Sequence, residues 1–128
     1  MQFDHTVSTN KTIDEAIQSI EENLKDEKFG VLWNFDLKEK LQSKGLDFQS
    51  EFKVLEVCNP YEAHRVISEN LMAGYFLPCK IVVYNDHGET KIGMPRPTSL
   101  ITMMNNEKIQ SLAKDIEERL ITCIDKSV

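Results

Sequence analysis

Two thiols placed at turns are the residues in this chain whose types and spacing most invite chemistry. Cys58 lies in Glu56–Val57–Cys58–Asn59–Pro60, and Cys79 lies in Leu77–Pro78–Cys79–Lys80. A thiol just before a helix N-terminus meets free N–H groups and the positive end of the helix dipole, which favours the thiolate. If the strands carrying the two cysteines pair, their sulfurs can share one sheet face. They would then be close enough for a redox pair or for two ligands of a soft metal such as zinc. His64 stands one turn into the helix that follows Pro60, where it offers a third ligand or a base for Cys58. A thiol-dependent or zinc-binding centre on Cys58, Cys79 and His64 is therefore one expectation. The plainer expectation is that both cysteines pack as small buried hydrophobes, as free cysteine commonly does.

Glu56 shares strand parity with Cys58, so it points into the same space and can serve as a base or pair with Lys80 or Arg65. No second carboxylate at a matching position completes an acid–base pair. There is also no Gly-rich phosphate loop, no nucleophile elbow and no His-Glu-x-x-His. Ligand contacts are thus expected from Glu56, Cys58, Asn59, His64 and Cys79, in a pocket with Tyr61, Tyr75 and Phe76 close by. His5 and His87 fall on an edge strand and a hairpin tip and read as solvent-facing. Cys123 falls in the last helix and receives no role.

The elements that must position these residues follow from periodicity and caps. Gln2–Val7 alternates loosely and reads as an edge strand. Thr12 with Glu15 forms a capping box for a helix over Ile13–Asp26, with Ile13, Ala16, Ile17, Ile20 and Leu24 inward. Phe29–Phe35 alternates, with Phe29, Val31, Trp33 and Phe35 assigned to one face. Asp36 with Glu39 opens a short helix that Gly45 terminates. Phe52–Cys58 is the third strand. Asn59 caps a helix with Pro60 in its first turn and Ala63, Val66, Ile67 and Leu71 as its apolar stripe.

Leu77–Tyr84 is apolar on both faces, as a central strand would be. Asn85–Asp86–His87–Gly88 turns it into a return strand over Thr90–Met94. Pro95 and Pro97 stop regular pairing, and Ser99–Met104 fits either an extended crossing or a helical turn. Asn105 or Asn106 caps a long last helix with Ile109, Leu112, Ala113, Ile116, Leu120, Ile121 and Ile124 inward. The order is β-α-β-α-β-α-β-β-α, an α+β fold with a mostly antiparallel sheet of about five strands and helices packed on it.

Three stretches carry a resemblance. They are Gly30–Val31–Leu32 leading into Phe35–Asp36–Leu37, Cys58–Asn59–Pro60 with Ala63–His64, and Leu77–Pro78–Cys79–Lys80–Ile81–Val82–Val83–Tyr84 closed by Asp86 and Gly88. In these the chain resembles the domain of unknown function 302 family over nearly its whole length. The resemblance implies a compact α+β fold similar to the halves of the TATA-binding protein, and it brings no established activity. Pro95–Arg96–Pro97 departs from the family's more regular segment at that point.

The bulk numbers narrow the classes. The 128 residues suit one domain, and 41% hydrophobic with 28% charged is ordinary for a globular chain. A net charge of −6 repels phosphate backbones, so no nucleic acid is expected as a partner. The start, Met1–Gln2–Phe3–Asp4–His5, lacks the basic and apolar runs of an export signal, and no stretch is long enough to span a membrane. Three cysteines are too few for a disulfide framework, and a reducing cytoplasmic setting is expected.

One further inference concerns the sheet. Leu32, Leu55, Val57 and Val82 fall on the parity opposite Trp33, Phe52 and Ile81, so both faces are apolar. A face that no helix covers calls for a ligand or a second subunit, and a homodimer is the simplest solution. The expected protein is thus a homodimeric binding or scaffold domain, with a thiol redox or zinc-binding protein as the alternative. A regulatory module contacting a partner through Pro95–Met104 is a third possibility.

Overall fold

Local sequence chemistry sets most of the elements. In the computed structural model, which describes residues 2–128, Thr12 accepts from the Glu15 N–H at 3.2 Å and donates its own N–H to the Glu15 carboxylate at 3.0 Å. Those hydrogen bonds, the Thr12 backbone donor first, hold the Glu15 carboxyl below its usual pKa. Helix α1 runs from there over Ile13–Asp26, and its Ile13, Ala16, Ile17, Ile20 and Leu24 are buried. The first strand, β1, is Asp4–Thr9, two residues later than the alternation predicts.

Strands β2 (Gly30–Asp36) and β3 (Phe52–Cys58) pair antiparallel on either side of α2 (Leu37–Ser43), whose N-cap is Asp36. Helix α3 (Pro60–Glu69) follows, then a 3-10 turn over Leu71–Phe76. Strands β4 (Cys79–Asp86) and β5 (Glu89–Pro95) form the expected hairpin, with His87 and Gly88 both at positive φ in its two-residue turn. The segment after β5 is helical. Pro97 starts a short α4 (Pro97–Ile101), a 3-10 turn covers Thr102–Met104, and Asn106 caps α5 (Glu107–Lys126).

The five strands lie in the order β1-β5-β4-β3-β2, all neighbours antiparallel, so the expected α+β architecture holds. Leu55, Val57, Ile81, Val83, Ile92 and Met94 turn to the side of α1, α3 and α5 and form the buried core with them. Two assignments of facing need correction. Trp33 pairs with Glu56 while Val31 pairs with Val57, so Leu32 is an extra residue in a bulge. The bulge reverses the alternation: Phe29 and Val31 face the core, whereas Trp33 and Phe35 face the opposite side.

Likewise Ile81 sits across from Leu55 and Val82 across from Val54. Ile81 therefore joins the core, and Val82 joins Phe52 and Trp33 on the other face. The stripe of α3 is also rotated from its expected place. Glu62 and Val66 are its buried residues, while Ile67 is exposed and Leu71 lies beyond the helix. Ion pairs described below draw Glu62 inward.

The sheet face away from the three long helices carries Trp33, Phe35, Val54, Phe52, Val82 and Tyr84. Phe48, in the connection from α2 to β3, packs edge-on against Phe52 at 6.5 Å between centroids. Trp33, on the same face, is 54% exposed.

Candidate functional site

The register of β3 and β4 decides how the two cysteines meet. Cys79 pairs with Val57, one residue short of Cys58, which lies across from Gly30 on the other side. Successive side chains in a strand alternate faces. Cys79 therefore packs against the helix-side core, and Cys58 falls on the opposite parity. The expectation that both sulfurs share one face is corrected by this one-residue offset. All three cysteines are free.

Their acidity runs against thiolate chemistry. Burial pushes the Cys79 thiol up to about 11, with the nearby Cys58 adding to the rise, and burial also raises Cys58. At Cys58 desolvation thus outweighs the expected help of the helix N-terminus. Relative to an ordinary thiol near 9.0, Cys79 holds roughly a hundredfold less thiolate at neutral pH. Iodoacetamide at pH 7.5 should accordingly alkylate native Cys79 at least about a hundredfold more slowly than the unfolded chain. Because the folded pKa is the higher one, the buried thiol's contribution to stability holds below about pH 9.0 and fades toward about pH 11. Peptide mapping of the alkylated protein reads the rate, and equal labelling in both states would refute the assignment.

The third member of the expected metal set is elsewhere. His64 is exposed on α3. Among the described residues no three His, Cys, Asp or Glu side chains converge to hold a metal ion. His5 pairs with Asp125 at 2.8 Å and His87 with Asp86 at 2.7 Å.

Asn59 is spent within the architecture. Its side-chain oxygen accepts from the N–H groups of Tyr61 at 3.0 Å and Glu62 at 3.3 Å, and its Nδ2 donates to the Glu27 carbonyl at 3.0 Å. One amide thus caps α3 and fastens it to the end of α1. Arg119 of α5 completes the junction, with Nε 2.8 Å from the Glu27 carboxylate and Nη1 3.1 Å from that of Glu62.

A concave feature of the fold lies beside Cys79. An open cavity of about 900 Å³ forms where β4 begins and β5 ends. Its deep wall is Val66, Ala73, Ile101, Ile109, Ala113, Ile116 and Leu120, so it is apolar. Phe76, Leu77, Pro78 and Cys79 form one rim, with Pro95, Pro97 and Leu100 opposite. The lining continues past the strand ends onto the uncovered face, where it takes in Thr6, Gly93, Val82, Tyr84, Glu56 and Lys80. Gly93 keeps this floor low, since a Cβ there would come within 2.9 Å of the Thr6 hydroxyl.

Of the expected contact residues, Glu56 and Cys79 line this cavity, as do Tyr75 and Phe76, while Cys58, Asn59, His64 and Tyr61 do not. Glu56 and Lys80 are directly opposite in the β3–β4 ladder. Among the described residues neither forms an ion pair within 4.0 Å, and Arg65 is engaged by Glu62 instead. The wall from α5 was legible only as a helical apolar stripe, since spacing does not distinguish a side chain that meets a neighbour from one that borders a void, and α4 was not singled out as a helix.

Known proteins align with this chain as follows. A comparison with curated proteins gives no match. The crystal structure of an uncharacterized conserved protein DUF302 from Bacillus stearothermophilus is 54% identical over 100% of both chains, with a TM-score of 0.98. The family model described as domain of unknown function DUF302 matches residues 5–127. With the three motif stretches in place on the antiparallel sheet, the chain belongs to the DUF302 family.

Proposed function

We propose that this protein is a small binding domain whose site is the cavity at the start of β4, and that its ligand is a predominantly apolar small molecule. The observation that carries the reading is the cavity itself. Its volume of about 900 Å³ lies within the range of ligand sites, and its deep wall offers only aliphatic groups, with one protonated thiol at the rim. The polar groups gather at the mouth, with Glu56 and Lys80 unpaired there, which suits a ligand with an apolar body and a polar end. No helix among the described residues is long and apolar enough to cross a membrane. We place the protein in the cytoplasm, where a reducing environment suits free Cys58, Cys79 and Cys123.

An uncharged solvatochromic dye such as Nile red tests the site. Saturable binding with a blue-shifted emission is expected for the native protein. Ala113→Phe, which fills the deep wall, should weaken that binding by at least about tenfold, the equivalent of roughly 1.4 kcal/mol. Circular dichroism keeps loss of binding separate from loss of fold. Dye binding that does not saturate, or that ignores Ala113→Phe, would remove the cavity from consideration.

A further inference from the structure

The cavity has no wall on one side. Its lining passes from the α5 residues onto the sheet face turned away from α1, α3 and α5, where Phe48 packs on Phe52 at one end and Trp33 is 54% exposed. We infer that a second copy of this chain packs on this face and supplies the missing wall, with Glu56 of each copy against Lys80 of the other. The inference rests on the cavity being a binding site, and it adds that the site is complete only in the dimer.

Two observations select a second copy over other occupants. The first is charge. Glu56 and Lys80 lie side by side across β3 and β4 without forming an ion pair, beside the apolar residues Trp33, Val54 and Val82. Across β2 to β4 the patch has one acid and one base adjacent among apolar residues and is complementary to itself, while Lys91, Asp4, Thr6 and Ser8 make the β1–β5 side of the same face polar. Under a two-fold rotation about an axis between the two residues, each acid meets the partner's base, as an isologous interface requires. A partner of one charge sign would leave one of them opposed by a like charge.

The second is size. Five strands about 4.8 Å apart and about seven residues long give a face on the order of 500 Å² in flat projection, with the apolar β2–β4 part as its centre and the β1–β5 side as a polar rim. Side-chain relief raises the accessible area above that, toward the roughly 800 Å² per partner that a stable complex buries.

The test uses the full chain in size-exclusion chromatography with light scattering. The expected mass at micromolar concentration is twice the 14.8 kDa of one chain. Glu56→Lys and Lys80→Glu each set like charges at the axis and should weaken association by about a hundredfold or more. The double reversal Glu56→Lys with Lys80→Glu should restore the dimer, an outcome that general damage to the fold does not produce. Nile red affinity should fall with each single reversal and return in the double variant.

A monomer at tens of micromolar overturns the inference, and so does a dimer indifferent to both single reversals. If the monomer still binds dye in the manner Ala113→Phe weakens, the cavity reading survives alone. A dimer that obeys the reversals but never binds dye sustains the interface and rejects the cavity as a binding site.

Discussion

Replacing Arg119 by alanine is expected to destabilise the protein by about 3 kcal/mol. Its guanidinium is the point where three helices meet. Nε and Nη2 donate to the Glu27 carboxylate at 2.8 Å and the Glu27 carbonyl at 3.0 Å, at the end of α1. Nη1 lies 3.1 Å from Glu62 in the first turn of α3 and 3.4 Å from Asp115 on α5 itself. The guanidinium also sits over the Phe29 ring, 5.4 Å from its centroid. Glu62 is buried, and a buried carboxylate that loses a partner keeps its desolvation cost.

Arg65 remains to Glu62 at 2.8 Å, which holds the loss below what a wholly orphaned charge would show. Arg65 is itself half exposed, so Arg65→Ala should cost less than about 1 kcal/mol. Arg119→Lys keeps the charge but not the fork of donors, and should fall between the two. Urea midpoints decide the order: Arg119→Ala is expected to lose about 1–2 M, and equal midpoints for Arg119→Ala and Arg65→Ala would contradict this account.

The same junction shows what a one-dimensional reading reaches. The role of Asn59 as the α3 cap is legible because the cap, the proline and the apolar residues that follow lie within a few positions. Its second bond, to the Glu27 carbonyl, joins residues brought together only by the fold. Helix α1 was fully legible for the local reason, since the capping box and a clean stripe of period 3.6 suffice to set it.

The facing of β2 was not legible. A bulge at Leu32 arises from pairing with β3, and alternation within β2 alone carries no sign of it. The facing of the two thiols escaped the reading through a similar cause. Strand identity places Cys58 and Cys79 near each other, but the register that sets them on opposite faces is a relation between two strands. The cavity was the least accessible feature, because each of its walls is an unremarkable apolar residue in its own element. What the sequence did point to is the region: Tyr75, Phe76, Cys79 and Glu56 do border the void.

Glu117 offers the sharpest separation of architecture from binding. Helix α4 has only five residues, too few to persist without tertiary support. Glu117 of α5 supplies that support from a position 6% exposed. Its Oε1 accepts from the Thr98 N–H at 3.0 Å and the Thr98 hydroxyl at 2.7 Å, and Oε2 lies 3.3 Å from Arg96 Nη1. Arg96 in turn donates Nε to the Asp4 carbonyl at 3.1 Å and its backbone N–H to the Phe3 carbonyl at 2.8 Å. One carboxylate thus latches α4 to α5 and, through Arg96, to the edge strand β1.

Glu117→Ala should cost about 3 kcal/mol, since it strips two hydrogen bonds from Thr98 and leaves Arg96 without its counter-ion. It should also weaken Nile red binding by about tenfold, because Pro97, Leu100 and Ile101 wall the cavity and would no longer be held. Glu117→Gln retains an acceptor for Thr98 but not the charge, so it should lose only about 1–2 kcal/mol and most of the dye affinity should remain. A conservative Ile124→Val control on the same helix lies outside the cavity lining and should lower stability by about 1 kcal/mol with dye affinity unchanged. If dye binding merely tracks stability across all three variants, α4 is not a wall that the carboxylate holds. If Glu117→Ala alone departs from that line, the latch and the cavity are physically coupled, and the short helix owes its place to the site it encloses.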